Sequence, residues 1–569
     1  GIIWERDGLY EYYQHGPLSR MVLGQQQVQG MDYAYTLQGW LKGVNSTALD
    51  PSFDMGRDGN PTSTNSQVAK DVLGFALHYY DDGTYQDYKA IGGVSAFARA
   101  DLNAPYNFAS TSLYNGNISA ISMNNGGLSK GPSSTTNSDA LFYSYGYDQL
   151  NRIVSMQAYN GFDKSTNGWH ANFIPDYGEA VTYDPNGNIL TYQRNGAHSL
   201  GLADIMDDLT YEYIVEPNQK QTNRLKIVKD KALDGDYSTD IDDQTKDPFT
   251  GAMVTENYTY DENGNMTSDN LEGISNITWT VYGKIESITK KNKTTNLVET
   301  ISYTYDAAGN RITKTAGGKI TVYVRDADGK IMSIYEKPTG GAMVQSEINL
   351  YGSSRLGIVG MKSVQRTVAT VATGFDPAIQ ETFTRGEKTY ELSNHLGNVL
   401  VTISDQKVQQ PATGNIAVDY YTASVLSAHD YYPFGMLMPG RTGHTTVDAT
   451  TGTSGWSDGW STPATLDVSD RNNNIPLEYK ASTQIEFTEG FESGENDEFT
   501  ASIIDAAGSG GSGSGSGTGS TSGSLGVYRY GFNGKENDDE VKGEGNQQDY
   551  GMRVYDTRLG KFLSVDPLT

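Results

Sequence analysis

Cysteine is absent from the 569-residue sequence. Disulfides, thiolate metal sites and thiol nucleophiles are therefore excluded. The sequence also lacks a run of about 18 apolar residues, which a membrane-spanning helix needs, and its mean hydropathy is −0.53. We therefore predict a chain without a membrane span.

Positive charge is scarce as well. Lysine and arginine together number 42, against 69 aspartates and glutamates, which gives a net charge of −27. A chain this acidic repels phosphate backbones and anionic lipid, so we predict no nucleic-acid partner. No signal peptide opens the sequence, because the first residues already have strand character. We expect the chain to be the interior of a longer polypeptide.

Glycine and tyrosine, by contrast, are abundant. The chain has 65 glycines, and its 39 tyrosines outnumber its 16 phenylalanines. Many glycines fit many tight turns, and tyrosine combines an apolar ring with a polar tip. The composition therefore favours a protein of many strands and turns.

A short unit recurs with small variations. The stretch ENYTYDENGNMT has near copies in EAVTYDPNGNILTY, ISYTYDAAGNRITK and TVYVRDADGKIMSI. In the first of these, alternation places Tyr258 and Tyr260 on one face of a strand and Thr259 on the other. Asp261 can accept hydrogen bonds from backbone N–H groups, and Gly264 supplies a positive φ. Each unit therefore predicts a strand, a tight turn and a second strand.

The units do not follow a fixed period. Their turn glycines are Gly187, Gly264, Gly309 and Gly329, which indicates a hairpin theme with insertions and not a strict solenoid. A single hairpin buries too little surface to be stable alone, so adjacent units are expected to pair edge to edge. The predicted fold class is all-β, with one long twisted sheet that coils or closes to protect its edges.

Composition divides the chain into four predicted regions. The Gly/Ser-rich tract near residues 508–526 is typical of a flexible linker. The regions are an N-terminal hairpin region at 1–141, the repeat region at 142–441, a polar insertion with the Gly/Ser-rich linker at 442–526, and a compact C-terminal block at 527–569.

The repeat units and the C-terminal stretch GMRVYDTRLGKFLSVDPLT together resemble the Rhs/YD-repeat family. The phrases HGPLSR, LSNHLGNVLVTISD, YYPFGM and GFNGKENDDEVKG are similar to the version found in Bacteroidetes-type bacteria. The resemblance covers both ends and most of the chain between, except the insertions and the Gly/Ser tract. By this resemblance, residues 527–569 are the Rhs repeat-associated core, here called the core block.

The resemblance implies a fold and a function. Such proteins coil a β-sheet into a hollow shell, or cocoon, which encloses and delivers a C-terminal polypeptide cargo, usually a toxin. The resemblance also implies a secreted or cell-surface protein on the exterior of the outer membrane, exported by a type IX system. Secretion-system components and an immunity protein are further implied partners.

The resemblance also implies a site. Many such proteins cleave their own chain just after the core, using a pair of aspartates in two Asp-Pro motifs. Asp566-Pro567-Leu568 matches the first motif, and the second is expected beyond Thr569. Two carboxylates that share one proton can activate water or polarise a peptide carbonyl. Asp566 is therefore the predicted catalytic residue, as half of an autoproteolytic pair, and the alternative is a turn-forming Asp-Pro.

No cofactor and no metal site are predicted. The aspartates of the repeated turns could supply calcium ligands, but their loops lack the closing bidentate glutamate of a calcium-binding loop, and turn capping accounts for them. The seven histidines form no HExxH motif, and the Gly-rich tract lacks the lysine of a phosphate-binding loop.

A second class of function stays open from the sequence. The same coiled sheet could display loops for adhesion or carbohydrate binding at the cell surface, without a cargo. A third possibility is a protease that acts only on itself. A second Asp-Pro motif and an unrelated domain after Thr569 would favour delivery over display.

Overall fold

The computed structural model describes most of the repeat region and the core block. The described residues are 4–81, 84–90, 95–98, 112–128, 140–197, 204–218, 220–232, 237, 239–293, 295–361, 384–411, 418–447, 454–457, 465–468, 478–481, 484–487, 500–503 and 528–566. The Gly/Ser-rich tract and Pro567 of the predicted cleavage motif lie outside them.

Twelve strands form the first sheet, and their spatial order is their order along the chain. They are β1 (Gly8–Tyr12), β2 (Leu18–Leu23), β3 (Gln29–Tyr35), β4 (Leu41–Val44), β5 (Leu73–His78), β6 (Ala120–Asn125), β7 (Ala140–Tyr147), β8 (Ile153–Asp163), β9 (Gly168–Tyr183), β10 (Ile189–Asn195), β11 (Ile205–Val215) and β12 (Gln221–Asp230).

Fifteen strands form the second sheet, again in chain order. They are β13 (Tyr258–Tyr260), β14 (Met266–Asp269), β15 (Ile274–Trp279), β16 (Ile285–Lys291), β17 (Val298–Tyr305), β18 (Arg311–Ala316), β19 (Lys319–Arg325), β20 (Ile331–Lys337), β21 (Val344–Tyr351), β22 (Arg355–Gly360), β23 (Lys388–Ser393), β24 (Val399–Pro411), β25 (Val418–Tyr431), β26 (Leu437–Val447) and β27 (Ser454–Ser457).

The chain divides into two compact units. The first comprises residues 1–128, 138–442 and 527–569, and the second comprises residues 129–137 and 443–526. In the second unit, β28 (Thr465–Val468) pairs in parallel with β30 (Gln484–Phe487), and β29 (Glu478–Ala481) pairs in parallel with β31 (Thr500–Ile503). The four regions drawn from composition stay predictions.

The core block has its own small sheet within the first unit. Its strands, in order, are β32 (Glu536–Asn537), β33 (Gln547–Asp549), β34 (Val554–Asp556) and β35 (Lys561–Phe562). The core block also contains a 3-10 turn at Phe532–Gly534 and one short helix, α1 (Asp539–Lys542). The prediction of an all-β chain built from consecutive hairpins is confirmed.

The repeated turns have the predicted chemistry. In the Asp261 turn, the N–H of Asp261 donates to the carbonyl of Asn265 at 2.9 Å, and the N–H of Asn265 donates back to Oδ1 of Asp261 at 2.8 Å. The amide of Asn265 donates to the second carboxylate oxygen at 2.9 Å. Gly264 has a φ of +90°, which costs other residues energy. The same bonds recur around Asp184 and Asp306.

The tyrosine before each of these aspartates has a different task. Its hydroxyl donates to the backbone carbonyl of a residue on the neighbouring strand. Tyr183 donates to Ile153 at 2.7 Å, and Tyr305 donates to Ile285 at 2.8 Å. In these two cases the acceptor is the first residue after the preceding hairpin turn. The aspartate therefore closes its own hairpin, whereas the tyrosine joins that hairpin to the previous one.

The two large sheets contact each other at both ends of the first sheet. The N–H of Asn257 donates to the carbonyl of Lys226 at 2.9 Å, and the hydroxyl of Tyr260 donates to the carbonyl of Leu225 at 2.9 Å. These bonds connect β12 with β13. At the other end of the first sheet, Asp7 accepts a bond from Nζ of Lys388 in β23 at 2.7 Å. The first sheet therefore meets the second through its first strands and its last.

One apolar core is shared by both sheets and the core block. It draws residues from β9 to β18 and from the core block, and its buried members include Tyr192, Leu209, Val228, Tyr258, Ile277, Ile288, Ile301, Val541, Leu559 and Leu563. Burying side chains of this size stabilises the folded state by roughly 1.5–3 kcal/mol each. Within the described residues, we find no helix long and apolar enough to cross a bilayer.

Candidate functional site

The core block is the candidate site, because the predicted catalytic residue lies at its end. Its residues contact both large sheets. The N–H of Met266 in β14 donates to the carbonyl of Leu563 at 3.0 Å, and the hydroxyl of Tyr211 in β11 donates to the carbonyl of Leu559 at 3.1 Å. Backbone groups of the core block are therefore bonded to both sheets.

A buried ion pair fixes the start of α1 to β18. The guanidinium of Arg311 donates to both carboxylate oxygens of Asp538, at 2.8 and 2.9 Å. Nζ of Lys314, which is three residues further along β18, lies 3.4 Å from Asp538 and 2.8 Å from Glu540. The side chain of Asp538 is fully buried. Bidentate arginine–carboxylate pairs fix orientation as well as distance.

A second buried group joins the end of α1 to β14. Nζ of Lys542 donates to Asp269 at 2.6 Å and to Asp556 at 2.8 Å. The other oxygen of Asp556 accepts the backbone N–H groups of Arg558 and Leu559, both at 3.0 Å. Asp556 therefore caps the turn after β34 through backbone N–H groups, and it also forms an ion pair with Lys542.

Further ion pairs surround these two. Nη2 of Arg558 donates to Glu272 at 2.9 Å, and Nη2 of Arg529 donates to Glu347 at 2.7 Å. The guanidinium of Arg355 stacks on the ring of Tyr530 at 3.4 Å, a cation–π contact. Together with the two ion pairs above, these contacts form the surface between the core block and strands β14 to β22, here called the docked surface.

The electrostatics of the docked surface follow from burial and charge pairing. Burial alone would raise the pKa of Asp538, but Arg311 and Lys314 lower it below its ordinary value. Burial is likewise outweighed at Asp556, whose pKa is lowered by Lys542 and Arg558. At Glu272, burial is outweighed by Arg558 and two lysines, which lower the pKa to about 2. These carboxylates are therefore ionised partners for the cations that face them.

Asp566 lies beyond these ion pairs, after β35. Its side chain is 43% exposed, and its Oδ2 lies 3.5 Å from Nη2 of Arg553. Because Pro567 and Leu568 lie outside the described residues, the Asp-Pro motif is described only through Asp566. The autoproteolytic role of Asp566 stays a prediction.

The cations and carboxylates of the docked surface were not predicted from the sequence. The sequence does contain one indication of them: Arg311 and Lys314 stand in the strand that follows the turn of ISYTYDAAGNRITK. In the structure both side chains are nearly fully buried. The core block also carries KENDDEVKG, a charged run inside its compact block. Charged residues within strand patterns suggest buried partners, but they do not say which residues pair.

Comparison with known proteins gives partial matches. No family model matches the chain. It is 30% identical over 146 residues to the tRNA nuclease WapA of Bacillus subtilis strain 168, a match that covers 26% of this chain and 6% of that protein. It is 36% identical over 91 residues to the tRNA(Glu)-specific nuclease WapA of Bacillus subtilis subsp. natto, covering 16% of this chain and 4% of that protein. The chain thus spans a small fraction of the curated relatives that it matches.

Among solved structures, the TcdB2-TccC3-Cdc42 complex aligns with 98% of this chain and 18% of its own, at 14% identity and a TM-score of 0.48. The Photorhabdus luminescens Tc holotoxin pore aligns with 98% of this chain and 20% of its own, at 13% identity and a TM-score of 0.37. Both TM-scores are below 0.5, and in both cases this chain spans about a fifth of the compared chain.

Proposed function

We propose that the chain is the structural shell of an Rhs/YD-repeat polymorphic toxin-type protein, and that it encloses and delivers a C-terminal polypeptide cargo. The observation that carries the proposal is the docking of the core block. Buried ion pairs to Asp538, Lys542 and Arg558 hold this block against the second sheet. The hydroxyl of Tyr211 in the first sheet donates to the carbonyl of Leu559. A polypeptide that continues after Asp566 would leave from a fixed point on the protein.

Containment in this proposal is mechanical and thermodynamic. Strands that pair in chain order over two large sheets leave few free edges, and the contacts at Lys226 and Asp7 bring those sheets together. A wall of this kind keeps an enclosed segment partly unfolded and protects the producing cell from it. The net charge of −27 suits a basic cargo, because acidic wall residues would retain it.

The curated relatives support a toxic cargo. Both are named as tRNA nucleases, and each is far longer than the stretch that matches this chain. In the proposal, the cargo is a separate polypeptide, an immunity protein neutralises it in the producer, and export to the cell exterior precedes delivery. The Bacteroidetes-type origin and the type IX route belong to the same proposal.

Protease protection tests the containment directly. The full chain is extended after Thr569 with a basic reporter polypeptide and exposed to a nonspecific protease. We expect the reporter to survive far longer than the same reporter free in solution. The Asp328→Asn variant, which changes an exposed turn carboxylate, should protect equally well, whereas Asp538→Asn should expose the reporter. Digestion of the reporter at the rate of the free polypeptide would favour surface display.

Self-cleavage is proposed for Asp566 and needs its own test. The chain is extended through a second Asp-Pro motif, and its scission is followed by intact mass. We expect Asp566→Asn to abolish the scission while the core block stays docked, since Asp566 lies beyond the buried ion pairs. Scission that continues unchanged in Asp566→Asn would remove Asp566 from the proposal and leave containment to the protection assay.

A further inference from the structure

Three buried carboxylates meet in the N-terminal part of the first unit. Asp32 belongs to β3, and Asp54 and Asp58 belong to the long connection between β4 and β5. One oxygen from each lies within 4.8 Å of the others. This connection has no strand or helix of its own between Val44 and Leu73, so the carboxylates lie where the backbone is irregular.

The cluster carries more negative than positive charge. The guanidinium of Arg20 donates to Asp32 and, at 2.5 Å, to Oδ1 of Asp58. A fourth carboxylate, that of Asp71, lies close enough to act on the same groups, and it accepts a bond from Nε2 of Gln29 at 2.6 Å. The Arg20 guanidinium balances one of these four carboxylates. Burying unbalanced charge is unfavourable, so a cation in the cluster would be stabilising.

Two carboxylate oxygens of the cluster, Oδ1 of Asp54 and Oδ2 of Asp58, have no hydrogen-bond partner among the described residues. The side chain of Asp58 is fully buried, and its Oδ2 accepts no hydrogen bond. Two glycines make room for the cluster. A Cβ on Gly30 would lie 1.9 Å from Oδ2 of Asp58, and a Cβ on Gly56 would lie 2.4 Å from Oδ2 of Asp32. The absence of a side chain at these two glycines leaves room for the carboxylate oxygens. A buried oxygen without a protein partner can accept a water or a cation.

We propose that Asp32, Asp54 and Asp58 bind one calcium ion. All the donors are oxygen atoms, which selects a hard cation over zinc or copper. Calcium accepts an irregular shell of carboxylates and backbone carbonyls, whereas magnesium requires a near-ideal octahedron. The ion would fasten the 45–72 connection to β2 and β3. This site is separate from the core block and does not depend on whether the chain encloses a cargo.

Calorimetric titration of the full chain with calcium tests the site after dialysis against a chelator. We expect one calcium ion per chain. Asp54→Asn should weaken binding at least about tenfold, because ligand charge sets affinity in such sites. Asp54 is chosen because its Oδ2 accepts the N–H of Asp58, at 3.0 Å, and not a bond from Arg20, so the Arg20 ion pairs are retained.

The matched control is Asp50→Asn. Asp50 is an exposed carboxylate of the same connection and caps Ser52, so its variant should bind calcium with native affinity. A native chain that binds no calcium would overturn the proposal, as would native affinity in Asp54→Asn. Tighter binding of magnesium than of calcium would overturn the choice of ion. Circular dichroism of each variant confirms that the strand content is retained.

Discussion

The repeated hairpin turns and the docked core block use polar side chains in opposite ways. At the turns, Asp306 is exposed, and its bonds reach Asn310, four residues away. At the core block, Asp538 is fully buried and binds Arg311, which is 227 residues away. A turn contact replaces similar bonds to water, so its net contribution is small. A buried ion pair contributes little net stability, but removal of one partner leaves an unpaired charge in the interior.

This difference separates two properties of the protein. Many small, similar contacts make the two large sheets tolerant of substitution, because the loss of one contact leaves its neighbours intact. The docked surface depends on a few contacts that are not repeated, so one substitution there should release the whole block. The following predictions test that contrast, beginning with the largest effect.

Removal of the Asp538 charge should have the largest effect. In Asp538→Asn, Arg311 loses its bidentate carboxylate and Lys314 loses one of its carboxylate partners, and breaking a buried pair in this way costs about 3–5 kcal/mol. We expect the core block to become sensitive to limited proteolysis, followed by mass spectrometry of the fragments. Asp328→Asn is the control at an exposed turn. Equal protease resistance in the two variants would contradict the difference between the repeated turns and the docked core block.

Acid should loosen the same surface. The pKa of Glu272 falls from its ordinary 4.5 to about 2 on folding, and the pKa values of Asp538 and Asp556 are also lowered. A carboxylate with a lower pKa in the folded state contributes stability that is complete above the ordinary value and is lost as the pH falls toward the folded value. We therefore expect docking to weaken between pH 4.5 and about pH 2, as measured by proteolysis with an acid-active protease.

Glu272→Gln sharpens the acid experiment. The variant lacks the carboxylate that takes up a proton in this range, so its stability should depend less steeply on pH than that of the native chain. An acid transition with the native slope would show that Glu272 does not contribute.

Substitution of a turn glycine should lower the free energy of unfolding by a moderate amount. Gly187 has a φ of +88°, and a Cβ there would meet its nearest neighbour, Nη1 of Arg152, at an ordinary 3.8 Å. Gly187→Ala should therefore cost about 1–2 kcal/mol from backbone conformation alone. Gly187→Asn should cost less, because asparagine adopts this conformation more readily. Chemical denaturation followed by tyrosine fluorescence gives the comparison, and equal losses in both variants would exclude the conformational explanation.

Removal of a single tyrosine hydroxyl should lower the free energy of unfolding the least. Tyr305→Phe removes the bond to the carbonyl of Ile285 at 2.8 Å, which should cost roughly 1 kcal/mol. Tyr282→Phe is the matched control, because Tyr282 is 81% exposed and its hydroxyl can bond to water. A loss in the control as large as that in Tyr305→Phe would contradict the role assigned to the repeat tyrosines.

The hairpins of the two large sheets were predictable from the sequence because the residues that determine them are local. An aspartate, a glycine three residues later and alternating tyrosines specify a hairpin within about a dozen residues, and Asp261 and Gly264 behave as expected. The bond between Tyr183 and Ile153 was harder to predict. It depends on which hairpin lies alongside, although the excess of tyrosine over phenylalanine is consistent with hydroxyls that have partners.

The docked surface and the carboxylate cluster were not predictable in the same way. Arg311 and Asp538 are far apart in sequence, and no spacing rule connects them. Asp32, Asp54 and Asp58 come together only because an irregular connection returns to β3. Sequence patterns indicate periodic elements well, whereas contacts between distant, unrepeated segments require the fold.

The hydroxyl bonds from Tyr183, Tyr260 and Tyr305 to the preceding strand have an evolutionary consequence. Each of these three units brings the group that attaches it to its predecessor, so a duplicate of such a unit would join the array without any change elsewhere. Tyr260 makes this bond even where β13 follows β12 across the junction between the two sheets. Unequal recombination between repeats could therefore lengthen or shorten the array in frame. The number of hairpins in the sheet could then change between lineages by gain or loss of whole units.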